Sequence, residues 1–507
     1  MRFSAALCVA TLLAATASAA SVTWTGFGHD NQWTTPVNWN TNTVPGINDD
    51  VSIPQGVVQL TIPTGVNSLS MGTQVNNPAN LTIFNSFAVT QSMTVDLNGN
   101  LFVVSGASSI TGQVEVGGNL FFSAGTLSGD WVVTSRGAAY LNAPGEKALS
   151  GCGFKSQGIF ALSGVIVLNQ SSILKAESAT TITDGLMLQA QDGTAVNFDA
   201  SKGSVSLVSG TFSIMAPSTF AAFTIQSGNV SVFNAVTFGN SIAIPAGSYV
   251  STLGAAVVSM TAGVTGAGVL SSSGTTLQLG NVAMTGDVNC IGGTTEFTAA
   301  TSTVGVLTLA GGTTLANSGV TAAQLNLLGG IIVGASAITG TAGYAKTQGI
   351  NLKAPIVFKT SATIDASLFN FGQAGSVKFS TGSSVSVIGA LQLTGNAASA
   401  GLINNGYVTA SAKLATNNIA ISGTGTIAVQ SSAQVQTASL AQAAVVLSTG
   451  AVFSGSNSFL NVPSVSAPTS VKARIGDYQL VCAKNCAQAQ TISASAPPTS
   501  DFHFIGN

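Results

Sequence analysis

Charged residues are almost missing from this chain: 6% of its 507 residues are Asp, Glu, Lys or Arg, against roughly 25% in an ordinary soluble domain. Between Lys202 and Lys346 the only ones are Asp287 and Glu296. With a formal net charge of −2, the chain has no basic footprint for nucleic acid and no polybasic patch for a membrane surface. Histidine is nearly absent too. His29 and His503 lie near opposite ends, so no histidine pair is available for a metal site or a hydrolytic triad. Past the N-terminus no apolar run reaches the 18 residues of a spanning helix, and no apolar tail suggests a lipid anchor. No segment holds ten residues of helical periodicity, which argues against leucine-rich and helical repeats. No glycine-rich run follows a strand and opens a helix, so phosphate loops are not expected.

What remains is rich in Val, Ile, Leu, Phe and Thr, interrupted everywhere by Gly, Ser and Asn. That composition favours strands and turns. Residues 1–19 read as a secretory signal peptide: Arg2, an apolar core from Ala5 to Ala15, then Ala17-Ser18-Ala19 at a small-residue cleavage site. The mature chain is therefore expected outside the cell, at a surface or wall.

A short internal period is the most informative feature. Asn80-Leu81-Thr82-Ile83 recurs as Asn100-Leu101-Phe102-Val103 and as Asn119-Leu120-Phe121-Phe122, at steps of 20 and 19 residues. Gly274-Thr275-Thr276-Leu277 recurs twice at steps of 19, as Gly293-Thr294-Thr295-Glu296 and Gly312-Thr313-Thr314-Leu315. Such periods signal a solenoid. Short strands alternating with turns over this length make one coil of an all-β, right-handed parallel β-helix, with about 19 residues per coil and roughly 20 coils. At about 4.8 Å per coil, the expected product is a stiff rod on the order of 100 Å long. Leu81, Leu101 and Leu120 should stack inward, with Thr82, Phe102 and Phe121 on the opposite face. In the second series, Leu277, Glu296 and Leu315 are expected to point outward, because a carboxylate in an apolar column is costly. The Thr275/Thr294/Thr313 and Thr276/Thr295/Thr314 sets read as threonine ladders, which raises ice binding as a minor reading.

The architecture constrains the cysteines. Cys152 and Cys290 are 138 residues apart, about seven coils or roughly 35 Å along the axis. A disulfide needs Cα atoms within about 7 Å, so both are expected as buried thiols. Cys482 and Cys486 are close enough in sequence to close a small disulfide loop in an oxidising compartment.

Domain organisation follows as a signal peptide (1–19), a tryptophan-rich cap (20–64), the β-helix (65–462) and a C-terminal cap or tail (463–507). The cap carries Trp24-Thr25-Gly26, Trp33, Asn38-Trp39, Val44-Pro45-Gly46 and Asp49-Asp50-Val51-Ser52-Ile53. This pattern resembles the module that opens many large secreted β-helical proteins, among them bacterial autotransporter-like and surface proteins and similar proteins of protists. The resemblance implies export to a surface or wall, and no reaction. Trp24, Trp33 and Trp39 are expected to cover the first coil; carbohydrate stacking on exposed rings is the functional alternative. Asp30, Asp49 and Asp50 lack the spacing of a calcium loop, and no metal or cofactor is expected.

An enzyme on this scaffold needs carboxylates brought together on adjacent coils. Asp96 and Glu115, 19 residues apart, are the candidate pair, expected to stack and face solvent. Asp184, Asp192, Asp199 and Lys202 form the densest charged group and read as solvated turns. Asn80, Asn169 and Asn229 begin N-x-Ser/Thr sequons and are candidate glycosylation sites. The expected function is an extracellular, non-enzymatic structural or adhesive protein that binds wall polysaccharide, surface proteins or itself. The alternative is a polysaccharide lyase or glycosidase.

Overall fold

The computed structural model describes residues 19–482, except 192–195, 255, 366, 396–400, 418, 438, 449, 455–458, 462–463, 467–470 and 476–477. The expected leader, the Cys482/Cys486 pairing, Asp192 and His503 lie outside what is described. The chain is a parallel β-solenoid of about 19 turns with about 20 residues per turn. No α-helix occurs among the described residues. Each turn contributes three short strands, as in Tyr249–Leu253, Val257–Met260 and Val264–Gly266, or two where neighbours run together, as in Thr301–Leu309. Contacts divide the chain into two compact units, Met1–Ser178 with Ala190–Val196, and Ala179–Gln189 with Asn197–Asn507.

In the first unit the expected columns form. Leu81 pairs with Leu101 and Leu101 with Leu120, and all three are buried. Ile83, Val103 and Phe122 make the inward column two residues along. Alternation turns Thr82, Phe102, Phe121 and Tyr140 outward. There Phe102 and Phe121 stack with centroids 4.6 Å apart, and Phe121 and Tyr140 at 4.9 Å. The pairing ladder also reaches back past residue 65. Strand Ser21–Thr23 pairs with Asp50–Ile53, which pairs with Thr64–Met71. Over this end Trp24 and Trp33 each meet Trp39 edge to face, and Trp33 meets Phe87.

In the second unit the register departs from the 19-residue period. Thr276 pairs with Thr294, a step of 18, and Thr294 with Thr313, a step of 19. A slip of one residue exchanges the two faces of a strand. Leu277 therefore points inward in one column with Thr295 and Thr314, all buried, while Glu296 and Leu315 stack outward with Gln278. Leu277 was expected outside. The outward threonine set is Thr276, Thr294 and Thr313, and Thr275 is buried. The turns stack in the same steps: Gly293 and Gly312 have φ of +69° and +65°, and a Cβ on them would meet the Thr275 and Gly293 carbonyl oxygens at 2.1 and 2.3 Å. Only glycine fits such stacked turns without moving backbone. The last described strands, Val471–Ile475 and Tyr478–Cys482, form an antiparallel pair.

Candidate binding surfaces

The carboxylate pair proposed from spacing is not assembled. Glu115 pairs with Thr94 on one side and Val132 on the other. Its coil is displaced by 21 residues from the preceding one, not 19. Because the extra shift is even, Glu115 keeps its outward facing and is exposed. Asp96 lies past the end of strand Phe87–Val95, in the turn closed by the Gly99 N–H to the Asp96 carbonyl. The two carboxylates thus belong to different structural positions.

The cap tryptophans present no ring face to a sugar: Trp24, Trp33 and Trp39 are 5%, 0% and 1% exposed. The Trp39 Nε1–H donates to the Trp33 carbonyl at 2.8 Å. The cap carboxylates are occupied locally. Asp30 accepts from Thr35 Oγ1, Asn38 Nδ2 and the Gln32 N–H, and these bonds hold its carboxyl below the usual range, Thr35 contributing most. Asp50 accepts from Asn67 and Ser68, and Asp49 from the Gly46 N–H. No cluster of three or more metal-ligating side chains occurs among the described residues.

The sequons differ in setting. Asn229 is exposed at the start of strand Asn229–Val232. Asn169 has its Oδ1 buried without a partner. Asn80 heads an asparagine ladder: Asn100 Nδ2 donates to Asn80 Oδ1 at 2.8 Å, and Asn119 Nδ2 to Asn100 Oδ1 at 2.7 Å. Cys152 and Cys290 are free and buried.

One ordered polar column was not picked out from the sequence. In the second unit one outward column runs through Ser213, Ser231, Ser251, Ser271, Asn289, Thr308, Asn326, Tyr344, Thr363, Ser386 and Thr409. Every one of these eleven consecutive rungs carries a hydroxyl or an amide, and none is charged. Ser251 and Ser271 are buried, at 7% and 3% exposed, so the accessible rungs are Ser213 and Ser231, then Asn289 to Thr409. Some rungs bond to each other, as Asn326 Nδ2 to Thr308 Oγ1 at 3.2 Å. From Thr211 to Thr426 the outward column beside it has Asp287 as its sole charge. The sequence signal was available: a Ser, Thr, Asn or Tyr recurs at each coil, but at irregular steps of 18 to 23 that hide the alignment.

Against family models, curated proteins and solved structures alike, the chain gives no match.

Proposed function

We propose that this is an extracellular, non-enzymatic structural or adhesive protein whose second unit binds neutral wall polysaccharide. The observation that carries the reading is the uncharged column from Ser213 to Thr409. From Asn289 to Thr409, rungs about 4.8 Å apart offer a periodic series of hydroxyl and amide groups to a periodic hydroxylated polymer. Neutral hydrogen bonds of this kind are individually weak, about 0.5–1.5 kcal/mol net, so affinity arises from many rungs engaging one chain. The signal-like leader and the W-T-G…N-W…D-D-V module support export and kinship with secreted β-helical surface proteins. Self-association through the same face is the competing adhesive mode.

Adsorption of the purified protein to cellulose and chitin, run beside a reducing-sugar assay, tests the proposal. Binding should persist from low to 1 M salt, because no ion pairs are involved. Thr308→Asp with Asn326→Asp, two like charges on adjacent rungs, should lower it at least tenfold. Release of sugar from any wall polymer would replace this reading with the enzyme. Sedimentation that shows concentration-dependent oligomers without adsorption would favour self-association.

A further inference from the structure

Three charged residues of the first unit, Asp130, Lys155 and Lys175, line one groove. Two outward columns on four consecutive coils form it, and its volume of about 380 Å³ is within the roughly 300–1,000 Å³ of small-ligand sites. One column runs Gln113, Asp130, Gly153, Ile173, and the other Glu115, Val132, Lys155, Lys175. Asp130 lies toward one end and both lysines toward the other. Lys155 is held by Glu177 at 3.0 Å, which also accepts from Gln157 Nε2. Lys175 makes no ion pair or hydrogen bond with any described residue, and Asp130 accepts none. Gly153 keeps the space beside Asp130 open, since a Cβ there would stand 2.5 Å from Asp130 Oδ1. Val132 lies beside Asp130 on one coil and the exposed Ile173 beside Lys175 two coils on, with Gly153 and Lys155 on the coil between.

We propose that this groove binds an anionic sugar, with its carboxylate or sulfate at Lys175 and its hydroxyls donating to Asp130. The fit rests on complementarity in three parts: a free cation at one end, a free acceptor at the other, and between them the open space over Gly153, flanked by Val132 and Ile173, for a pyranose ring. The groove crosses the parallel ladder, whose backbone N–H and C=O groups are already paired between coils. An extended peptide therefore finds no strand edge to extend, and recognition falls to side chains. The site is independent of the neutral stripe in the second unit.

Titration calorimetry of the full chain tests this with four probes: tri-galacturonate, a sulfated galactose trisaccharide, maltotriose and the tripeptide Glu-Ala-Lys. One or both anionic trisaccharides should bind at millimolar affinity or better, weaken as salt rises, and lose at least tenfold on Lys175→Ala; which of the two binds identifies the anion. Lys378→Ala, an exposed lysine in the second unit, should leave binding unchanged. Equal binding of maltotriose, preferential binding of the tripeptide, no heat from either anionic probe at millimolar concentration, or indifference to Lys175→Ala would each overturn the proposal. Unchanged circular dichroism of Lys175→Ala separates loss of the site from loss of the fold.

Discussion

Lys147 is fully buried, and its ammonium donates to the Ala143 and Gly145 carbonyls at 2.5 and 2.7 Å. Burial lowers its pKa to about 8. Burial raises the Cys152 thiol to about 12, with the Asp130 charge adding to it, and the Cys290 thiol to about 11. These shifts act on stability in opposite senses. Above pH 8 the folded chain releases the Lys147 proton while the unfolded chain keeps it, so stability rises with pH until the unfolded lysine also titrates. Above pH 9 the unfolded chain ionises two thiols that the folded chain keeps protonated, so stability falls. Two thiols outweigh one lysine where the windows overlap. Unfolding midpoints measured from pH 7 to 11 should peak near pH 9. Lys147→Met should abolish the rise from 8 to 9, and Cys152→Ala with Cys290→Ala should flatten the fall. A midpoint that declines steadily from pH 7 would contradict the account. The inert thiols were legible from sequence, because coil spacing forbade a bond between them. The buried lysine was not: nothing in its local sequence marks Lys147 as inward.

At the scale of the strand, register decides what a periodic sequence can reveal. Where steps are 19 or 20, as from Leu81 to Leu120, stacking followed directly from the spacing. An 18-residue step at Thr276–Thr294 exchanged faces and moved Leu277 into the core. A 21-residue step at Thr94–Glu115 kept the face but changed the neighbour. Turn insertions absorb these differences, and a mean period cannot locate them. The groove was hidden for the same reason, since Asp130 reaches Gly153 across a register shift between Leu127 and Gly129. The asparagine ladder gives the element-scale test. Asn100 makes both side-chain bonds of the ladder and Asn80 makes one. At roughly 0.5–1.5 kcal/mol per bond, chemical denaturation of Asn100→Ala should show about twice the destabilisation of Asn80→Ala. Equal effects would mean that the ladder bonds contribute nothing to stability.

Across the molecule, each coil is stabilised chiefly by its two neighbours, so the fold is a sum of nearest-neighbour terms rather than one central core. Composition and period were enough to identify this architecture, because both are averages over many coils. Ligand chemistry depends on single positions, and was therefore mostly illegible. The central claim is that equivalent outward residues of successive coils lie directly above one another. Paired cysteines measure it. With Cys482 and Cys486 changed to serine, Phe121→Cys with Tyr140→Cys places thiols on adjacent rungs, about 4.8 Å apart at Cα and within disulfide reach. Phe102→Cys with Tyr140→Cys places them two rungs apart, at roughly 10 Å. Mild oxidation followed by peptide mass mapping should find the first crosslink and not the second. Absence of the first in folded protein, or equal formation of both, would contradict the stacked-coil fold.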